Sequence, residues 1–205
     1  MKKIILTTAA IAALSSSTAL ANMEDVFYVK IHGGWDKLTK ISGMKSDNDY
    51  FLGLGVGYYV MDNLRTDLVF EHLFEPDHKK STTVAGVTRS EKLKGKINAL
   101  TLNGYVDLFD VSVAKFYIGA GFGMSQVSAK DRVTVGNATT TTSFKRKNNL
   151  ALAVHLGAST EFAPGVNGEL FYSYKDFGKT TTKIGTRGKA KYKANQVGVG
   201  VRFDI

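Results

Sequence analysis

The segment Gln196-Val197-Gly198-Val199-Gly200-Val201-Arg202-Phe203-Asp204-Ile205 decides how the rest of the chain is read. Its large apolar residues fall on every second position: Val197, Val199, Val201, Phe203 and Ile205. Gln196, Gly198, Gly200, Arg202 and Asp204 occupy the positions between them. A period of two is the period of a strand, so one face is continuous hydrocarbon and the other is small or charged. A half-buried strand in water reads the same way, and the segment alone leaves the solvent open. Its recurrence along the chain does more.

Seven further segments carry the same alternation. They begin near Phe27, Tyr50, Leu64, Lys96, Lys115, Asn148 and Gly168. In the second, Tyr50, Leu52, Leu54, Val56 and Tyr58 oppose Phe51, Gly53, Gly55 and Gly57. In the fifth, Phe116, Ile118, Ala120, Phe122 and Met124 oppose Lys115, Tyr117 and three glycines. The connections alternate in length. Met61-Asp62-Asn63, Asp110-Val111-Ser112 and Ala163-Pro164-Gly165 read as tight turns. Long polar loops are expected near 36–49, 75–93, 129–147 and 176–190. Eight strands of about ten residues, with all long loops at one end, predict an all-β fold: an eight-stranded antiparallel up-and-down transmembrane β-barrel. Closure removes the strand edges that lipid would not tolerate.

The start of the chain agrees with that destination. A basic Met1-Lys2-Lys3, an apolar run over 4–14 and the small residues Ala19 and Ala21 predict a cleaved leader over 1–21, followed by one barrel domain over 22–205. There is no cysteine, and 21 glycines stand against two prolines. The formal charge is +9.

The faces opposite the hydrocarbon collect Lys30, Arg65, Asp67, Glu71, Asp107, Lys115, Glu161, Glu169, Lys175 and Arg202. Both signs are present, which predicts an ion-paired lumen. Eight strands leave an interior that side chains can fill, so these charges are expected to be structural, with a narrow ion pathway as the alternative. Glycines at every second position (Gly53, Gly55, Gly57; Gly119, Gly121, Gly123) are expected to make room for facing Arg, Tyr and Lys side chains, since phosphate loops need another spacing. Tyr28, Tyr50, Tyr58, Tyr59, Tyr172, Tyr174, Trp35, Phe27 and Phe203 are expected to girdle the two membrane interfaces. Asp176-Phe177-Gly178 reads as a strand running into a loop. The four histidines have no metal-binding spacing, so no metal, no cofactor and no enzymatic activity are expected.

Three stretches carry the strongest likeness to known proteins: Asn103-Gly104-Tyr105, Tyr117-Ile118-Gly119-Ala120-Gly121-Phe122-Gly123 and Glu169-Leu170-Phe171-Tyr172-Ser173-Tyr174. With them the chain resembles the small outer-membrane barrels typified by the OmpA transmembrane domain and OmpX, and within that family the rickettsial-type surface adhesins. The resemblance covers nearly all of the mature chain. It implies a monomer in the outer membrane of a Gram-negative cell, with extracellular loops that adhere to host surface or serum glycoproteins. It also implies delivery by the barrel-assembly machinery, which reads a terminal Phe in this family. Here the ending is Phe203-Asp204-Ile205, so either Ile205 substitutes or Phe203 is read.

The loops hold the excess positive charge. Lys79, Lys80, Arg89 and Lys92 fall in the second long loop, and Lys130, Arg132, Lys145, Arg146 and Lys147 in the third. Lys179, Lys183, Arg187 and Lys189 fall in the fourth. A basic rim attracts acidic partners by long-range electrostatics. Outer-membrane lipid and lipopolysaccharide, or host glycoproteins beyond them, are the expected partners, and nucleic acid is not. A membrane-integrity barrel without a dedicated ligand is the structural alternative to adhesion.

Overall fold

The computed structural model describes residues 27–38, 45–46, 48–74, 77–84, 87–135, 138–143, 146–182 and 188–205. The expected leader over 1–21 and the loop cations Lys145, Lys183 and Arg187 lie outside the described residues. The strands are β1 (Phe27–Leu38), β2 (Lys45–Ser46), β3 (Asn48–Met61), β4 (Leu64–Phe74), β5 (Asp77–Val84) and β6 (Val87–Val111). They continue as β7 (Ala114–Val135), β8 (Ala138–Ser143), β9 (Lys147–Ala163), β10 (Val166–Thr182) and β11 (Gly188–Asp204).

Eight of them form the wall in the order β6-β4-β3-β1-β11-β10-β9-β7, and β6 pairs with β7 to close it. Every pairing in the wall is antiparallel. The hydrogen-bonded row from Tyr28 passes through Gly57, Asp67, Asn103, Gly121, Ala153, Lys175 and Ala194, then re-enters β1 at Leu38. One circuit therefore climbs ten residues of strand, and the strands must tilt strongly against the barrel axis.

The alternation predicted from the sequence sets the two faces. Val199, Leu170 and Phe122 point outward and remain 62, 60 and 59% exposed, alongside the other large apolar residues of the outer face. Water would not tolerate such a belt, and the hydrocarbon of a membrane supplies its solvent. Trp35 and Tyr50 lie side by side in this skin with rings 6.4 Å apart.

Two expectations about the connections need correcting. The turn expected at 110–112 is the pair Ser112-Val113, with Ser112 at φ 56°. The expected long loops are largely strand. β6 and β7 pair from Val111↔Ala114 to Arg89↔Val135, far above the wall, with one register shift between Asp107 and Phe109. β5 pairs with that extension of β6, β8 with that of β7, and β2 with β5. Thr139 to Thr142 thus sit on β8, and Thr180 to Thr182 pair with β11, where long polar loops were expected. Strand propensity explains the difference: Thr and Val are β-branched, and a hairpin already paired in the wall extends at little further entropic cost.

Asp176-Phe177-Gly178 is a bulge between the β10–β11 pairs Asp176↔Lys193 and Lys179↔Lys191. Gly178 adopts φ 82°, and its N–H donates to Asp176 Oδ1 at 3.0 Å. By strand parity Phe177 continues the inward face of Ser173 and Lys175, and nothing of it is exposed. There its carbonyl accepts a hydrogen bond from Ser125 Oγ at 2.6 Å.

Candidate functional site

Two charged regions remain once the lipid-facing skin is set aside: the lumen, and the sheet that projects outward from it. In the periplasmic half of the lumen, Glu169 gathers three cations. Arg202 Nη1 donates to Oε1 at 2.6 Å, Lys30 Nζ lies 2.9 Å from Oε2, and Arg65 Nη2 stands 3.6 Å from Oε1. Arg65 also pairs with Asp107. Its guanidinium lies over the Tyr117 ring, 4.4 Å from the centroid, and that of Arg202 over Tyr28 at 5.3 Å. Asp67 accepts hydrogen bonds from Asn103 Nδ2 (2.7 Å) and from the hydroxyls of Tyr28 (3.3 Å) and Tyr105 (3.4 Å).

Higher up, Glu71 is the centre. Lys175 Nζ donates to it at 2.5 Å and Gln196 Nε2 at 2.9 Å, while His32 Nε2 lies 3.4 Å from Oε2. His155 bridges Ser173 (2.7 Å) and Asn103 (3.3 Å). Burying these ions separately would be costly, and mutual pairing offsets the desolvation. The space between the two centres is a cavity of about 10 Å³ lined by Lys30, His32, Tyr105, His155, Ser173 and Lys175, room for about one water. Above Glu71 apolar side chains predominate, with Asp36 buried among them. Leu38, Leu73, Ile97, Val127, Phe177 and Tyr192 are all buried and close the outer end.

Eight of the ten residues expected in the lumen are there. Lys115 and Glu161 are not. Both lie on the inward-facing parity, but at the periplasmic rim, where they are exposed. Glu161 instead accepts the Gly165 N–H of the turn at 3.0 Å. Period two fixes the side of the sheet and says nothing of height along it. Tyr28 also needs correcting. Its ring is buried in the lumen and takes no part in a membrane girdle. The expected glycine spaces exist, but rings and an amide fill them. A Cβ would meet Tyr28 at Gly57, Tyr105 at Gly119, Tyr117 at Gly157, His32 at Gly53 and Asn103 at Gly121. Sequence reasoning missed His32, His155, Asn103, Ser173 and Gln196 as members of the network. Their parity was the available signal, since each shares a face with a charge singled out above.

The projecting sheet is organised differently. Lys45 lies opposite Lys79, Lys79 opposite Lys92, and Lys92 opposite Arg132. One row therefore places four basic positions side by side across four strands. By the two-residue period, Lys94, Lys130 and Asp77 share that face. The other face carries Lys80 opposite Glu91, with Arg89, Leu93, Asp131 and Val133. It is balanced; the first face is almost uniformly basic. Of the remaining expected cations, Arg146, Lys147 and Lys179 are exposed on the outer ends of the wall strands or beside them, and Lys189 pairs with Thr181 in the β10–β11 hairpin.

The basic face is the upward continuation of the lipid-facing face of β6 and β7. Lys92 stands eight residues beyond Leu100, roughly 25 Å of strand.

The family model of the outer membrane protein beta-barrel domain matches residues 6–203. A Rickettsia conorii protein with a provisional adhesin name is 37% identical over 93% of this chain and 87% of its own length. A Rickettsia felis protein named in the same way is 34% identical over the full length of both. Among solved structures, Neisserial surface protein A superposes with a TM-score of 0.59 at 18% identity, over 87% of this chain and 97% of that one.

Proposed function

Because the chain belongs to the outer membrane protein β-barrel family, we propose that it acts as an adhesin, a rigid wall that presents a basic sheet to host surface or serum glycoproteins. As an integral outer-membrane protein it carries its excess cations outside. The observation that carries the reading is the row Lys45-Lys79-Lys92-Arg132. Like charges directly opposite one another in a sheet destabilise it. A partner with regularly spaced acidic groups removes that repulsion and draws the encounter from a distance. The adhesin names of the rickettsial relatives point the same way, and an export leader over 1–21 fits the destination.

The test is attachment by cells that display the barrel with Lys79→Gln, Lys92→Gln and Arg132→Gln together. Attachment to host cells or matrix glycoproteins should fall several-fold. Undiminished attachment removes the adhesin reading. The filled, ion-paired lumen favours a second one, a membrane-integrity barrel without a dedicated ligand. Loss of detergent resistance on deleting the projecting sheet, with attachment intact, selects it. The apolar closure at the outer end argues against an ion pathway, so planar bilayers should show no conductance that responds to neutralising Arg65, Glu71 or Arg202.

A further inference from the structure

The β9–β10 seam opens at the outer rim of the wall. Its ladder stops at Asp176↔Leu152. Above that point β9 continues to Lys147 along β7, while β10 continues to Thr182 along β11. A bulge in β10 between Asp176 and Lys179 falls where this ladder ends, and there Gly178 packs so closely on β9 that a Cβ would meet the Asn149 Cβ at 2.5 Å. The two strands flank a cleft of about 360 Å³ in which Asn149 and Gly178 also take part. Lys147, Lys179 and Lys191 line its upper part with Asp176, and Leu150 and Leu152 line its lower part. Lys191 Nζ lies 2.9 Å from Asp176 Oδ2, and Asp176 is the one carboxylate in a lining that holds three lysines. The two leucines are 64 and 51% exposed and continue the lipid-facing skin. At the foot of the cleft, Tyr172 donates to Asn195 at 2.7 Å and Lys193 Nζ lies 5.4 Å from the Tyr174 centroid. An aromatic hydroxyl and an ammonium at this height mark the boundary between acyl chains and headgroups.

We infer that this seam is a binding site for one phosphorylated glycolipid of the outer leaflet, with its phosphate against Lys147, Lys179 and Lys191 and an acyl chain on Leu150 and Leu152. Each half of the lining excludes another class of ligand. A soluble polyanion has no use for the exposed leucines, and a neutral lipid has no use for three lysines around one aspartate. An amphiphile with an anionic head satisfies both, and at the membrane boundary the ammonium–phosphate attraction is stronger than in bulk water. The site is separate from the projecting row, so it stands whether or not that row binds a glycoprotein.

The test uses the full mature chain refolded into phosphatidylcholine nanodiscs doped with bisphosphorylated lipid A, with retained lipid A counted by native mass spectrometry. Lys147→Gln, Lys179→Gln and Lys191→Gln together should cut retention at least tenfold, at about fivefold per ammonium before the offset from Asp176. Lys79→Gln, Lys92→Gln and Arg132→Gln together should leave it unchanged. Heat-dependent gel mobility verifies folding of both variants. Dephosphorylated lipid A should be retained about as poorly by the original chain as bisphosphorylated lipid A is by the seam variant, and inorganic phosphate should not compete. Equal retention by the seam variant, equal retention of the dephosphorylated lipid, or displacement by soluble heparin would each overturn the assignment.

Discussion

The lumen and the projecting sheet are built from the same strands, yet they treat charge in opposite ways. At the two lumen centres the buried carboxylates face cations: Glu169 faces Lys30, Arg65 and Arg202, and Glu71 faces Lys175. In the projecting sheet Lys79 lies opposite Lys92, and Lys92 opposite Arg132. Where leaving an ion unpaired costs most, the chain pairs it. Where water and salt screen the repulsion, it lets cations accumulate. The first arrangement serves the fold, and the second leaves its charge exposed to the surroundings.

The most damaging way to break this contrast is Glu169→Gln, which leaves three buried cations without their shared carboxylate. A loss of about 3–5 kcal/mol is expected from urea unfolding of the refolded barrel in detergent micelles. If Glu169→Gln unfolds like the original chain, the lumen network is not what holds the wall. Gly57→Val comes next. Its Cβ would meet the Tyr28 ring, and the expected cost is about 1–3 kcal/mol by the same titration. Lys92→Gln should act in the other direction. It removes one cation from between two others, so stability rises, on the order of 0.2–1 kcal/mol, while binding of acidic partners weakens. A loss of stability would show that the row is not under like-charge repulsion.

The smallest effect concerns Asp176, which stands outside the hydrocarbon at the seam. Partial burial raises its carboxyl pKa, but the hydrogen bonds from Lys191 and the Gly178 N–H outweigh this and hold it below the ordinary 3.8. A carboxyl depressed in the folded state stabilises fully above its unfolded value and loses that contribution as pH falls through the folded one. An NMR titration of the Asp176 carboxyl should therefore find its midpoint below 3.8, and Lys191→Gln should move it up.

Alternation made the wall readable before any coordinates. Val197 to Ile205, Leu100 to Leu108 and Leu150 to Leu156 each announce which side meets lipid, and the lumen set follows from the opposite parity. Height and register were not readable in this way. Lys115 and Glu161 have the right parity and sit too low, because nothing local to either residue tells where the wall ends. Tyr28 shares the parity of Lys30, and its place inside was legible; the general preference of tyrosine for membrane interfaces pointed the other way. The basic row escaped because Lys79, Lys92 and Arg132 become neighbours only through the pairings that bring β5, β6 and β7 together. The seam escaped because the β9–β10 ladder ends at Asp176 while both strands run on.

β6 and β7 run uninterrupted from the periplasmic turn at Ser112-Val113 to the far tip near Arg89 and Val135. Lower down, each is also laddered to a wall neighbour, β6 to β4 and β7 to β9. A tether gripping the tip thus loads many backbone bonds lengthwise and at once, the direction in which a ladder resists best. The hairpin that meets the outside world is in this sense a mast stepped through the deck to the keel.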